Sequence, residues 1–168
     1  MTLSITRVSG ALGAEINNVD LSQKLNRFTI LELRQALLRH KVLFFQNQDI
    51  TPHQHLAFAQ KFGDIVEYPM VNGLKEEPQI VPVVKLPHET VNFGGMWHSD
   101  TSYTQSPPMG SILVAREIPP FGGDTLFANQ ALAYERLSKG MKKILKNLIG
   151  VSSSAKKEVT QSRQNRMA

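Results

Sequence analysis

The sequence Trp97-His98-Ser99-Asp100 places a histidine and an aspartate two residues apart, directly after Gly94-Gly95-Met96. Alternate side chains of a β-strand project from one face, so we expect His98 and Asp100 side by side and Ser99 pointing away. An imidazole and a carboxylate presented together are two ligands of the 2-His-1-carboxylate triad, which binds non-haem Fe(II) and leaves coordination positions open. A surface pair on an ordinary strand is the competing interpretation, because so short a motif also occurs by chance.

The composition is that of a globular domain with its own core. The chain has 168 residues, of which 41% are hydrophobic and 20% are charged, an ordinary balance. It contains no cysteine, which excludes disulfides, thiolate catalysis and cysteine metal sites. No apolar run approaches the length of a membrane span, and residues 1–4 lack the features of a secretory signal, so we predict a cytoplasmic protein without a membrane partner.

The net charge of +5 is concentrated at one end of the chain. Residues 139–168 carry 8 of the 19 lysines and arginines but only one of the 14 acidic residues. Such a segment is usually a solvated helix face followed by a tail, and no aromatic residue interleaves with its cations as a stacking platform would require. We therefore expect no nucleic-acid partner, one domain over residues 1–150, and a polar, basic, poorly ordered tail over 151–168. A nucleic-acid or membrane-surface role for the tail is a third hypothesis.

Apolar periodicity and turn residues predict the order of secondary structure. Alternating or compact apolar runs predict strands at 3–8, 14–16, 42–45, 80–84, 110–115 and 124–128. A capping box of Thr29 and Glu32 predicts a helix that ends near His40, and Thr51-Pro52 begins a second helix before Gly63. Asn129 and Ser138 cap two further helices, of which the second carries an apolar stripe predicted to pack into the core: Leu137, Met141, Ile144, Leu145 and Leu148.

Four other histidines are interpreted as surface or capping residues rather than metal ligands. His53 and His55 lie two apart on a predicted helix and do not share a face. His40 ends the preceding helix, and His88 stands in a loop-rich segment.

Several blocks of sequence, taken together, resemble the taurine dioxygenase/2,4-dichlorophenoxyacetate dioxygenase (TauD/TfdA) family. The resemblance covers nearly all of residues 3–150, in matching order and spacing. Its blocks are Leu43-Phe44-Phe45, Trp97-His98-Ser99-Asp100, Pro107-Pro108-x-Gly110, Gly122-Gly123-Asp124-Thr125-Leu126 and Ala133-Tyr134-Glu135-x-Leu137-Ser138. It implies a mainly β fold with flanking helices, the double-stranded β-helix or jelly roll.

The resemblance also implies an oxidative chemistry and its cofactors. Members depend on Fe(II) and on 2-oxoglutarate as co-substrate, and they use dioxygen to oxidise a small molecule. Carried across by position, His98 and Asp100 are expected to bind iron, and Thr125 to bind a carboxylate of 2-oxoglutarate. Trp97 and Tyr103 are expected to wall the site, and no residue is assigned as a separate catalytic acid or base.

The positions expected to contact substrate depart from the taurine-specific pattern. Tyr68-Pro69 stands where taurine-specific members have a histidine, and Gly94 stands where they have an asparagine. With Asn92 and Tyr103, Tyr68 and Gly94 form the predicted substrate-binding set. We therefore expect a small anionic sulfonate or carboxylate other than taurine.

A second departure concerns the remaining ligands. The family's distal iron-binding histidine and its 2-oxoglutarate-binding arginine fall beyond the matched region, and no histidine follows His98. We expect the N-terminal portion of such an enzyme, with an incomplete jelly roll and no activity alone. The alternative is a truncated non-catalytic relative that binds a ligand or partner. Whether the chain forms a homo-oligomer is left open.

Overall fold

A computed structural model describes residues 3–67, 71–90 and 94–153. These residues form two units. The first comprises residues 3–62 and 113–149, and the second comprises the described residues from 63 to 112 together with 150–153. Every helix and strand of the described residues belongs to the first unit.

Three short strands form the sheet: β1 Ser4–Arg7, β2 Ala14–Asn17 and β3 Leu43–Phe44. The central strand, β2, is antiparallel to β1, with Ser4 opposite Asn17, and parallel to β3, with Ala14 opposite Leu43. A parallel pair needs a crossover connection, and here a helix supplies it. The strands predicted near the N-terminus and after His40 are thus confirmed.

The runs at 80–84, 110–115 and 124–128, predicted as strands, form none in the structure. The prediction was wrong because an apolar run becomes a strand only where another segment pairs with its backbone groups. The residue types of a run indicate a local preference for extended backbone. They do not indicate whether a neighbouring segment is present to pair with it.

Helix α1, Arg27–His40, forms the crossover between β2 and β3. Its N-cap is Asn26, whose side chain accepts a hydrogen bond from the Thr29 backbone N–H at 2.9 Å. The predicted capping box at Thr29 and Glu32 is therefore wrong. Asparagine is as strong a cap as serine or aspartate, and beginning at Asn26 places Thr29 within the first turn, where it is buried.

Helix α2, Pro52–Ala59, begins as predicted with Thr51 as its N-cap and Pro52 in its first turn. Thr51 and Gln54 form a complete capping box, which satisfies two backbone donors at the helix start. The helix ends at Ala59, short of Gly63. Phe58 is its buried residue, and its ring packs edge-on against Phe45 and Phe62 at 6.0 and 5.2 Å between centroids.

The core of the first unit lies between the sheet and these two helices. Burial of its apolar side chains is the main stabilising contribution. Its buried apolar members are Ala14, Ile16, Leu21, Leu33, Ala36, Ile50 and Phe58.

Helices α3, Gln130–Glu135, and α4, Lys139–Leu145, complete the first unit. Their predicted caps, Asn129 and Ser138, are confirmed by bonds to the helix backbone. Asn129 also donates a side-chain hydrogen bond to the carbonyl of Ala11 at 2.7 Å, which ties this segment to the turn before β2.

The apolar stripe of the α4 segment is largely exposed rather than packed into the core. Ile144 is 61% and Leu148 64% exposed. Helical spacing shows that one face is apolar, but burial also requires an opposing layer, and the core of this unit lies against α1 and α2 instead.

The described residues form a small sheet with flanking helices, as expected, but more of them lie in helices than in strands, so the mainly β character stays a prediction. The complete jelly roll stays a prediction. Among the described residues, no helix combines the length and apolarity needed to cross a membrane.

Candidate metal centre

His98 and Asp100 lie in the second unit, in a segment of turns and extended backbone rather than on the predicted strand. Their side chains nevertheless approach one another, with 3.2 Å between His98 Nε2 and Asp100 Oδ1. Both are more than half exposed, at 55% and 58%. Exposed ion pairs of this kind contribute little to stability, and this exposure also agrees with the competing interpretation of a surface pair.

The backbone after the pair turns sharply. Thr101 has a φ of +46°, which is uncommon for a β-branched residue and strains the backbone. Its carbonyl accepts hydrogen bonds from the backbone N–H of Thr104 at 3.0 Å and the Thr104 hydroxyl at 2.9 Å. These two bonds hold the turn that follows Asp100.

The second nitrogen of the His98 ring is held by the chain itself. Nδ1 lies 2.7 Å from the carbonyl oxygen of Met96. A carbonyl can only accept, so Nδ1 carries the hydrogen and donates it. This contact orients the ring and, in the neutral imidazole, leaves the Nε2 lone pair directed at Asp100.

The second oxygen of Asp100 is also held. The hydroxyl of Ser111 donates to Oδ2 at 2.9 Å. Oδ1 is thereby the oxygen that faces His98 Nε2, and each of the two side chains has one atom restrained by the protein.

The facing atoms, Nε2 and Oδ1, fit a metal ion. With the hydrogen on Nδ1, Nε2 and Oδ1 each direct a lone pair at the other, and the two atoms are 3.2 Å apart. A second proton or a metal ion between them is needed to offset the repulsion of these lone pairs. Two ligand atoms bound at right angles at about 2.1 Å lie about 3 Å apart, close to the observed separation. Within the described residues, no group of three or more potential His, Cys, Asp or Glu ligands is found, so this pair alone would supply two ligands to an ion.

Gly94 lies against the imidazole of His98. Its φ is +72°, and a Cβ added there would lie 3.2 Å from His98 Cε1 and 3.8 Å from Nε2. Glycine adopts this conformation without the strain that a side chain would add. The predicted substrate role of Gly94 stays a prediction, and its contact with His98 is an additional feature.

The other predicted site residues are distributed as follows. Trp97 is 69% exposed, and Tyr103 is half-buried in the same unit. Thr125 is exposed and belongs to the first unit, so its position next to the pair stays a prediction. Tyr68 and Asn92 lie outside the described residues.

Sequence reasoning did not identify Ser111 or the carbonyl of Met96 as partners of the pair. A backbone carbonyl has no sequence signal. Ser111 does have one, since it is the single polar side chain in the run 110–115, but that run was interpreted as a core strand.

Residues 4–167 match the Taurine catabolism dioxygenase TauD, TfdA family, and the chain therefore belongs to this family.

Individual relatives agree with this assignment. The chain is 35% identical over 158 residues to an alkylsulfatase of Acinetobacter baylyi, covering 90% of this chain and 47% of the relative. It is 32% identical to an alpha-ketoglutarate-dependent sulfate ester dioxygenase of Pseudomonas putida, covering 92% and 50%. The structure resembles that of a taurine dioxygenase from Burkholderia xenovorans with a TM-score of 0.76 and 34% identity, over 88% of this chain and 52% of that one. The chain spans about half the length of these relatives.

Proposed function

We propose that this protein acts as an Fe(II)- and 2-oxoglutarate-dependent dioxygenase on a small anionic organic substrate. The observation that carries the proposal is the approach of His98 Nε2 and Asp100 Oδ1 to 3.2 Å. The other polar atom of each side chain, His98 Nδ1 and Asp100 Oδ2, already forms a hydrogen bond, with Met96 and Ser111 respectively. Membership of the family supports the same chemistry.

In this proposal His98 and Asp100 hold the ion, which when bound supplies the oxidation of substrate by dioxygen, coupled to decarboxylation of 2-oxoglutarate. Met96 fixes the tautomer of His98 through its carbonyl, as second-layer partners of metal-bound histidines commonly do. Thr125 donates its hydroxyl hydrogen to a carboxylate of 2-oxoglutarate. Trp97 and Tyr103 are proposed to wall the site.

Two ligands leave the site incomplete without further groups. No histidine follows His98 in the chain, and we propose that the complete site lies in a jelly roll to which residues 1–150 contribute. The 168-residue chain is then expected to bind iron weakly and to be inactive by itself. Residues 151–168 are proposed to be a polar, basic tail.

The proposed substrate is an alkyl sulfate ester, a carboxylate, or a sulfonate other than taurine. The names of the relatives from Acinetobacter baylyi and Pseudomonas putida point to sulfate esters. The departures at Tyr68 and Gly94 argue against taurine. Tyr68 keeps a phenolic hydroxyl that can donate a hydrogen bond to an anionic group.

The test is succinate formation by the protein expressed from its complete coding sequence, called the full-length protein below. It is incubated with Fe(II), ascorbate, 2-oxoglutarate and a panel of alkyl sulfates, sulfonates and aryloxy carboxylates. We expect substrate-dependent succinate at about 1 per second or faster, little with taurine, and none above background in His98→Ala or Asp100→Ala.

Two outcomes would contradict the proposal. Turnover that survives both substitutions would place the site elsewhere. A full-length protein that binds neither Fe(II) nor 2-oxoglutarate would support the alternative of a non-catalytic relative. Efficient turnover of taurine would overturn the substrate assignment alone.

A further inference from the structure

The hydroxyl of Ser111 hydrogen-bonds the carboxylate of Asp100. Its Oγ donates to Oδ2 at 2.9 Å, across 11 residues of sequence. The other carboxylate oxygen, Oδ1, faces His98 Nε2 at 3.2 Å. The serine therefore distinguishes the two oxygens of a side chain that is otherwise symmetric.

We propose that Ser111 is a positioning residue that makes Asp100 a one-oxygen metal ligand. This inference rests on the proposed function, because it concerns the metal that His98 and Asp100 would hold. A carboxylate binds a cation through one oxygen or through both. A hydrogen bond donated to Oδ2 occupies a lone pair of that oxygen, which makes Oδ2 a poorer metal ligand. It also orients Oδ1 toward the ion.

The restraint matters because the carboxylate is exposed. With 58% of its side chain accessible, Asp100 has room to rotate about both of its side-chain torsions, and ordering it on metal binding has an entropic cost. The hydrogen bond from Ser111 orders the carboxylate before the ion binds, which lowers this entropic cost. The contact between Met96 and His98 does the same for the imidazole.

One-oxygen binding also preserves open coordination positions. A facial triad leaves sites for a co-substrate and for dioxygen. An aspartate that bound through both oxygens would take one of those sites. Ser111 thus acts on the coordination number of the ion without contacting it.

The experiment compares Mn(II) affinity across variants of the full-length protein without 2-oxoglutarate or substrate. Free Mn(II) is measured by electron paramagnetic resonance. Ser111→Ala should weaken binding about 10-fold, the lower end of the effect of removing a partner of a metal ligand. Ser106→Ala, which removes an exposed hydroxyl in the same unit, is the control and should bind like the wild type.

A matched pair isolates the hydroxyl from side-chain shape. Ser111→Thr keeps the donor and should stay within about 2-fold of the wild type, whereas Ser111→Val has the same shape without the donor and should behave like Ser111→Ala. The visible absorption of bound Co(II) gives a second readout. It should change in the alanine and valine variants, where Asp100 is free to bind through both oxygens, and not in the threonine variant.

The outcomes separate this inference from the proposed function. Equal Mn(II) affinity and an unchanged Co(II) spectrum in Ser111→Val would overturn the role of Ser111, while His98→Ala would still show whether the metal site exists. Wild type and His98→Ala with the same Mn(II) affinity would overturn the proposed function itself. Should the alanine variant fail to fold, the threonine and valine pair decides the question.

Discussion

His98 Nε2 and Asp100 Oδ1 lie 3.2 Å apart although the segment that carries them forms no strand. The arrangement depends instead on contacts to neighbouring backbone and to one later side chain. Met96 holds the ring, Ser111 holds the carboxylate, and the turn after Asp100 passes through Thr101 at a φ of +46°. Backbone strain at such a position is typical of sites in which geometry serves a ligand.

The first prediction concerns metal binding by this pair. In the full-length protein, His98→Ala or Asp100→Ala should weaken Mn(II) binding by more than about 100-fold, because a lost ligand costs more than a lost partner of a ligand. Isothermal titration calorimetry measures the change. His88→Ala removes an exposed histidine in the same unit and should leave the affinity unaltered. Comparable losses in all three variants would indicate that binding is nonspecific.

The second prediction concerns Thr125 and the co-substrate. Thr125→Val in the full-length protein keeps the side-chain shape and removes the hydroxyl, which should weaken 2-oxoglutarate binding by about 1–3 kcal/mol if the group is desolvated there. The measurement is 2-oxoglutarate titration in the presence of Mn(II). Thr6→Val, on the exposed strand β1, is the matched control. An unaltered affinity in Thr125→Val would remove this residue from the site.

Much of the first unit follows from local sequence signals. Thr51-Pro52 was sufficient to place the start of α2, because a hydroxyl cap and a proline in the first turn satisfy or remove backbone donors locally. The start of α1 was predicted wrongly at Thr29, since Asn26 and Thr29 are both good caps three residues apart. Burial of Thr29 favours Asn26 as the cap, and this burial depends on the rest of the fold.

The sequence motif predicted that the side chains of His98 and Asp100 come together, and they do. The strand expected to align them is absent, and their role as metal ligands stays a prediction. The role of Ser111 was not predicted, because a hydrogen bond across 11 residues depends on the path of the folded chain. The spacing of apolar residues does not predict that path. The same limit applies to the runs at 80–84, 110–115 and 124–128, whose strand character would require pairing partners.

The third prediction tests the core of the first unit. Leu33 and Leu38 both lie on α1, but Leu33 is fully buried at 0% exposure and Leu38 is 65% exposed. Leu33→Ala should lower the free energy of unfolding by about 2–5 kcal/mol, because it leaves a cavity. Leu38→Ala should change it by about 0.5 kcal/mol or less. Urea unfolding of the full-length protein followed by circular dichroism provides the comparison, and equal losses would contradict the position of the core.

The last prediction concerns Gly94, whose backbone approaches the ring of His98. In Gly94→Ala the new Cβ would lie 3.2 Å from His98 Cε1 at a φ of +72°, so the ring or the backbone must shift. The left-handed backbone alone costs an alanine about 1–2 kcal/mol, and displacement of Nε2 should also weaken Mn(II) binding by about 3-fold or more, since metal sites tolerate shifts of only about 0.5 Å.

Gly110→Ala is the control for this prediction, because a Cβ at Gly110 meets nothing within 4 Å and its φ is not in the left-handed region. It should leave both stability and affinity near the wild-type values. Metal titration and urea unfolding of the two variants of the full-length protein separate the effects. A Gly94→Ala protein that is destabilised yet binds Mn(II) normally would show that Gly94 serves the backbone turn alone. Normal values for both properties would mean that His98 does not lie against Gly94 in the folded protein, and the orientation assigned to its imidazole would then be wrong.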